Sequence, residues 1–300
     1  MTSHVTAGDL EVTFESAGDS SSSTVAVLLH GFPYDIHAYD EVVPLLQRAG
    51  CRVVVPYLRG YGPTRFRSPS TMRSGQQGVL GRDLLALLDA LAIERAVLAG
   101  YDWGGRAACI VAALWPGRVL GLVSGNGYNI QDIAAAANPQ PPEDEHRYWY
   151  QYYLHGERGR RGLERNRRAF CRLLWRLWSP TWAFDDATFE RTAASFDNAD
   201  FVDVVVHSYR HRYGLVDGAP EADDVERQLA SRPVIDVPTI VLDGDADGVV
   251  SAGAAASHQR FFAGAYQRRV IADVGHNLPQ EAPAVFAEAV LALAARADRH

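Results

Sequence analysis

Along the first 125 residues, short apolar runs alternate with longer stretches of helical spacing. Strand-length runs occur at 10–15 (LEVTFE), 25–29 (VAVLL), 51–55 (CRVVV), 95–99 (RAVLA) and 118–123 (RVLGLV). Helical patterns fall at 38–49, 79–92 and 104–114, and in the second of these Leu80, Leu84, Leu87, Leu88 and Leu91 share one face. Such alternation predicts an α/β fold, a mostly parallel sheet with helices on both faces. The pattern breaks at a Pro-rich acidic connector, 134–146 (AAAANPQPPEDEH), and stays helical and rich in aromatic residues and arginine to about residue 230. Strands then return at 239–243 and 267–271, with helices near 251–262 and 282–296. The chain is expected to form one α/β core, 1–133 and 232–300, interrupted by a helical lobe at 134–231.

Composition narrows the function classes. With 47% hydrophobic and 22% charged residues in 300, the chain has enough apolar material for one large core. Its apolar runs fall short of the roughly 20 residues of a membrane span. The N-terminus lacks a basic stretch followed by an apolar one, so a cytoplasmic protein without membrane association is expected. A net charge of −7 argues against nucleic-acid binding. The basic run ERGRRGLERNRRAFCRLLWRLW carries Leu163, Phe170, Leu173, Leu174 and Leu177 at helical spacing, which puts most of its arginines on a solvated face. Cys51, Cys109 and Cys171 lack metal or redox spacing and are expected as buried structural cysteines. The ten histidines show no paired-ligand spacing, so no metal and no cofactor are expected. Monomer and homodimer both remain open.

In open parallel sheets, ligands bind beyond the carboxyl ends of the strands. Four such positions carry unusual chemistry: His30-Gly31-Phe32-Pro33, Gly100-Tyr101-Asp102-Trp103-Gly104-Gly105, Gly244-Asp245-Ala246-Asp247 and Gly275-His276-Asn277. The glycines around Asp102 fit a sharp strand-to-helix turn that holds a carboxylate at a helix N-terminus, where it stays ionised. An aspartate that merely caps the helix would look similar in isolation. The chain order of nucleophile, acid and a late histidine distinguishes the two, since hydrolases built on such a turn share it. His276 is the expected base and Asp247 the expected orienting acid, with Asp245 and Asp243 as rivals.

Together, HGFP, RGYGPT at 59–64, GYDWGG, GDADGVV and VGHNLPQEAP resemble the recurring motifs of the α/β-hydrolase fold family over essentially the whole chain. The chain departs from many members at Tyr57 and Leu58, where an Asp is common shortly before RGYG. The resemblance implies a cap lobe inserted after the sixth core strand and an oxyanion site built from the backbone N–H groups of Phe32 and Trp103. Aspartate at the nucleophile position is similar to epoxide hydrolases and to haloalkane and haloacetate dehalogenases rather than to esterases. A carboxylate is already anionic and can displace a leaving group from an sp³ carbon, giving an alkyl ester. His276 would then activate the water that hydrolyses this ester.

An epoxide oxygen needs O–H donors as it opens, whereas a halide is held by indole or amide N–H groups. In epoxide hydrolases of this fold two cap tyrosines serve, one in a Tyr-Gln-x-Tyr context and one preceding an Arg; Tyr150 and Tyr209 match. Most of the lobe's other tyrosines are expected to be packing. Haloacetate dehalogenases usually have His-Trp where this chain has Tyr150-Gln151, and Arg where it has Trp103. Haloalkane dehalogenases share the Trp but often carry Asn or Glu in place of Phe32; Trp149, Trp175, Trp178 or Trp182 would have to supply a halide ligand. The leading expectation is an epoxide hydrolase acting on a small, predominantly apolar substrate. His30, Pro33, Trp149 and Gln151 are expected in its pocket. A dehalogenase is the alternative, and a non-catalytic small-molecule receptor is a third reading, whose mark would be a damaged triad.

Overall fold

Strands that are apolar at consecutive positions need cover on both faces, and that requirement organises the core. The computed structural model describes residues 2–297 except 23, 252, 254 and 255. Its strands are Thr2–Ala7 (β1), Leu10–Ala17 (β2), Val25–Leu29 (β3), Arg52–Pro56 (β4), Arg65–Phe66 (β5), Ala96–Gly100 (β6), Val119–Gly125 (β7), Thr239–Gly244 (β8) and Tyr266–Ile271 (β9). Every residue of β3, β6 and β8 is buried. The sheet runs β1-β2-β4-β3-β6-β7-β8-β9, with β5 paired to β2. From β4 to β9 all neighbours are parallel, while β2 is antiparallel to β1, β4 and β5.

All seven expected strands are present, and two more are found. Strand β1 offers little apolar signal, since its residues alternate between exposed and partly buried along most of its length. Its existence depends on pairing with β2 through a turn at Gly8, φ +57°. Helices α1 (Val42–Arg48), α2 (Gln77–Ala90), α3 (Asp102–Leu114) and the C-terminal Pro283–Ala297 match expectation closely. The stretch expected as one helix from 38 splits into a 3-10 turn, Ile36–Tyr39, and α1; the Asp35 side chain caps the turn at the His37 N–H. The helix expected at 251–262 lies partly outside the described residues, and its described end, Ser257–Phe261, is a 3-10 turn.

Between β7 and β8 the chain forms helices Pro142–Arg147 (α4), Trp149–His155 (α5), Glu157–Trp178 (α6), Asp186–Ala193 (α7), Phe201–His211 (α8) and Asp223–Leu229 (α9). Helix α6 carries the basic run and kinks at Asn166, where φ is −125°. Its buried stripe is Leu163, Phe170, Cys171, Leu174, Trp175 and Trp178, whereas Leu173 and Leu177, expected inside, are 44% and 47% exposed. Both lie at the edge of the face that Phe170, Cys171, Leu174, Trp175 and Trp178 define, one position short of the residues that point inward. Arg168 and Arg172 on the outer side pair with Glu190, Asp197 and Asp186. Cys51, Cys109 and Cys171 are free and buried. Among the described residues, no helix is long and apolar enough to cross a membrane.

Buried polar ties join the inserted helices to the sheet. Asp35, fully buried after β3, accepts from Thr192 Oγ1 at 2.9 Å, Ser195 Oγ at 2.6 Å and the His37 N–H at 3.0 Å. Glu226 of α9 accepts from the Gly78 N–H at 2.7 Å and from the Gln76 and Gln77 amides. Burial pushes the Asp35 carboxyl up to about 6, although the histidine charge and these hydrogen bonds act in the opposite direction. Asp35→Ala strands two buried hydroxyls, which typically costs about 1–3 kcal/mol each when nothing replaces the acceptor. Denaturant unfolding should show a loss of at least that size, and an unchanged midpoint would mean that the tie does not hold the two parts together.

Candidate active site

The carboxyl ends of the strands carry the loops in which Asp102, Asp247 and His276 stand. Strand β6 ends at Gly100, Tyr101 is extended, and Asp102 is left-handed at φ +49° as α3 begins. A non-glycine residue is strained there, and the neighbouring glycines are what make the turn possible. A Cβ on Gly104 would stand 2.0 Å from the Leu29 carbonyl oxygen, and one on Gly31 would stand 2.5 Å from Asp102 Cβ. The chain after β3 therefore lies directly against the turn at Asp102. From it the Phe32 N–H donates to Asp102 Oδ1 at 2.8 Å. Trp103, the next residue of α3, is fully buried, and its indole N–H has no acceptor.

His276 follows β9 and faces both carboxylates. Its Nδ1–H donates to Asp247 Oδ2 at 2.8 Å, and its Nε2 is 3.8 Å from Asp102 Oδ2. Asp247 is further held by the Asn126 amide at 2.6 Å and by the N–H groups of Val249 and Val250 at 2.6 and 3.0 Å. Its sequence rivals are occupied elsewhere: Asp243 pairs with Arg268 at 2.6 Å, and Asp245 accepts from the Asp273 N–H at 2.7 Å. Burial works against a charged imidazole, but the Asp247 charge and hydrogen bond and the nearby Asp102 carboxylate together raise His276 to about 10. Asp102 is held below the usual carboxylate range: its own burial opposes this, but His276, Arg106 and the Phe32 N–H more than offset it.

The end of α6 braces this arrangement. The Trp178 carbonyl accepts from both the Gly248 and His276 N–H groups, at 3.0 and 3.1 Å. Ser179 Oγ accepts from the His276 N–H at 3.0 Å and donates to Glu281 Oε1 at 2.6 Å. Glu281 in turn accepts from the N–H groups of Gly275 and Asn277. Sequence reading did not find Asn126, Ser179 or Glu281 as site supports. Asn126 was within reach, because it directly follows strand β7 and has φ +67°.

A cavity of about 360 Å³ opens above Asp102 and His276. Tyr150 and Gln151 line it, with the Gln151 amide donating to the Tyr150 hydroxyl at 3.0 Å. Tyr209 packs edge-on to Tyr150, ring centroids 5.3 Å apart, and against Phe32 at 5.4 Å. Burial raises the phenols of both, with Asp102 contributing in the same direction. Three expected pocket residues do not line this cavity. His30 is fully buried, its Nδ1 bonded to the Gly31 carbonyl and its Nε2 accepting the Leu58 N–H, so it braces two loops. Burial lowers its pKa to about 4, although the Gly31 carbonyl and Asp102 act against the shift. The Pro33 carbonyl accepts the Trp175 indole N–H at 2.8 Å. Trp149 packs into the lobe on Tyr150, Tyr153 and Phe170.

The lining is also more polar than an aromatic lobe led us to expect. Arg106, Arg212, Asn126, Asn129, Gln131 and Gln151 all reach it. Trp175 and Trp178 pack on the loops after β3 and β9, and of the lobe's described aromatic residues only Tyr148, Tyr150, Tyr152 and Tyr213 line the opening. Neither arginine was singled out by sequence reasoning, because each lies within a helical pattern that explains it as ordinary surface charge.

Residues 25–283 match the family described as alpha/beta hydrolase fold. A solved Klebsiella pneumoniae structure, described as a candidate epoxide hydrolase, is 44% identical, covers 98% of this chain and 97% of its own, and superposes with a TM-score of 0.96. Epoxide hydrolase B of Mycobacterium tuberculosis is 33% identical over 147 residues, 43% of this chain and 39% of that protein. Epoxide hydrolase 3 of Siraitia grosvenorii is 37% identical over 100 residues, 33% of this chain and 31% of that protein. The matched stretch thus spans well under half of either curated relative. With the match running from β3 through the inserted helices to the loop after His276, the chain belongs to the alpha/beta hydrolase fold family.

Proposed function

We propose that the protein hydrolyses an epoxide to a vicinal diol through an alkyl ester on Asp102. The observation that carries this reading is an ionised carboxylate at the nucleophile turn, facing a cavity that Tyr150 also lines, with Tyr209 packed beside it. Asp102 attacks a ring carbon, the C–O bond breaks, and a phenol of Tyr150 or Tyr209 donates a proton to the leaving oxygen. The ester so formed carries no charge at Asp102, so His276 loses one of the two anions that hold its proton. That proton leaves to restore the tyrosine, and neutral His276, still oriented by Asp247, takes a proton from water as it attacks the ester carbonyl. The N–H groups of Phe32 and Trp103 receive the resulting oxyanion. Collapse returns Asp102 and releases the diol, so one epoxide and one water are consumed per turnover. No metal or cofactor enters any step.

A second reading keeps the first displacement and replaces the epoxide oxygen with a halide. The buried Trp103 indole N–H without an acceptor favours it, being the kind of donor a halide uses. Against it, Phe32 brings no side-chain donor, and the Trp175 indole is already bonded to Pro33. Halide release from haloalkanes or fluoroacetate, with no diol from any epoxide in a panel, would reverse the order.

In a single turnover in ¹⁸O water, label should enter the Asp102 carboxylate while the first diol carries enzyme oxygen; an unlabelled Asp102 sinks the alkyl ester. Asp102→Ala should lower kcat at least about 10³-fold, and Tyr150→Phe or Tyr209→Phe about 10²-fold each on a neutral epoxide. His276 should titrate at lower pH in Asp102→Asn than in the wild type, since removing an anion disfavours the imidazolium. NMR of the ring protons reads this directly, and coincident titration curves would separate the charge of Asp102 from the base.

A further inference from the structure

The cavity contains two cations that no carboxylate pairs with. Arg106, four residues past Asp102 on α3, is 6% exposed; its Nε donates to the Asn129 carbonyl at 3.2 Å, and its Nη1 is buried without an acceptor. Arg212, just past α8, lies 4.4 Å above the Tyr209 ring and donates from Nη1 to Gln151 Oε1 at 3.3 Å. Its Nε and Nη2 are buried without acceptors. Among the described residues, neither guanidinium has a carboxylate within 4.0 Å. Burial lowers Arg106 to about 10, and the Arg212 charge adds to the shift, so the two cations act on each other across the opening.

The acids nearby are engaged elsewhere. Asp132 pairs with Arg232 at 3.2 Å, and Glu145 accepts from the Tyr152 hydroxyl and the Gln140 N–H at the exposed end of the cavity. The lining carboxylates Asp102 and Glu145 and the buried Glu226 act on these arginines only at a distance, so the unpaired N–H groups of both guanidinia still lack an acceptor. A buried guanidinium without a counter-charge is costly to the fold, and its planar fork matches a carboxylate.

From this cluster we propose that the cavity selects an epoxide bearing a carboxylate, which Arg106 and Arg212 hold beside the carbon attacked by Asp102. The proposal rests on the epoxide reading above and names its substrate class. The planar fork of each guanidinium matches a carboxylate better than a tetrahedral phosphate. Asp102, Arg106 and Arg212 line one cavity of about 360 Å³, so the carboxylate stands only a few bonds from the ring. The substrate is therefore a short epoxy acid.

The test compares kcat/KM for oxirane-2-carboxylate with that for its neutral isostere, oxirane-2-carboxamide, at pH 7. The wild type should prefer the acid by at least tenfold, with the difference in KM. Arg212→Gln and Arg106→Gln should each cut that preference about tenfold or more. Arginines that only tune the tyrosines or Asp102 would instead move both substrates in the same proportion, and that result overturns the proposal. Equal or better turnover of the amide by the wild type does the same.

Should Arg106→Gln fail to fold, Arg212→Gln alone carries the comparison. A binding measurement needs no turnover: propionate should bind to Asp102→Asn protein, and at least tenfold more weakly to that protein carrying Arg212→Gln. Tighter binding of inorganic phosphate than of propionate would overturn the choice of a carboxylate. Turnover of neutral epoxides without the preference removes this proposal and leaves the proposed function. Propionate binding with no turnover of any epoxide leaves the anion site and removes that function.

Discussion

The structure depends on one close approach. At the end of β6 the chain reverses into α3 with Asp102 in a left-handed conformation, and the backbone after β3 passes so near that a single methyl on Gly104 or Gly31 would collide with it. This contact brings the Phe32 N–H to Asp102 Oδ1 and sets the carboxylate at the start of a helix, where the aligned N–H groups favour its charge. A strained turn is tolerated because the all-buried strands on either side leave it no alternative path.

Around that fixed carboxylate, the other groups are arranged by charge. His276 sits between two anions, one held by Asn126 and two backbone N–H groups, the other by Phe32. The first anion is permanent. The second disappears if it is alkylated, so the chemistry of Asp102 itself changes the proton affinity of the histidine. A serine in the same turn would reverse the order, since the histidine would have to lose its proton before the first bond formed.

Much of this was legible in the sequence because glycine and strand-end positions report backbone constraints directly. GYDWGG marks the turn, and Gly-x-x-Asp and Gly-His after the last two strands mark the loops of Asp247 and His276. What escaped had no local signature. Strand β1 is defined by its partner and not by its own apolar pattern. His30 looks like a pocket residue beside Phe32 but spends both ring nitrogens on backbone. Arg106 lies on α3 and Arg212 just past the end of α8, and only three-dimensional proximity brings them to one opening. Leu173 and Leu177 fell outside the core because they lie at the edge of the face that Cys171, Trp175 and Trp178 share with Phe170 and Leu174.

The Trp178 carbonyl, at the end of α6, bonds to both the loop bearing Asp247 and the loop bearing His276. The inserted helices are thus anchored at the end of α6 to the same loops that set the distance between Asp247 and His276. Grafting a different helical lobe onto this sheet would need its junction placed beyond Ser179, or the spacing of these two residues would be exchanged along with the pocket. The end of α6 therefore serves the sheet's loops as much as the lobe it belongs to.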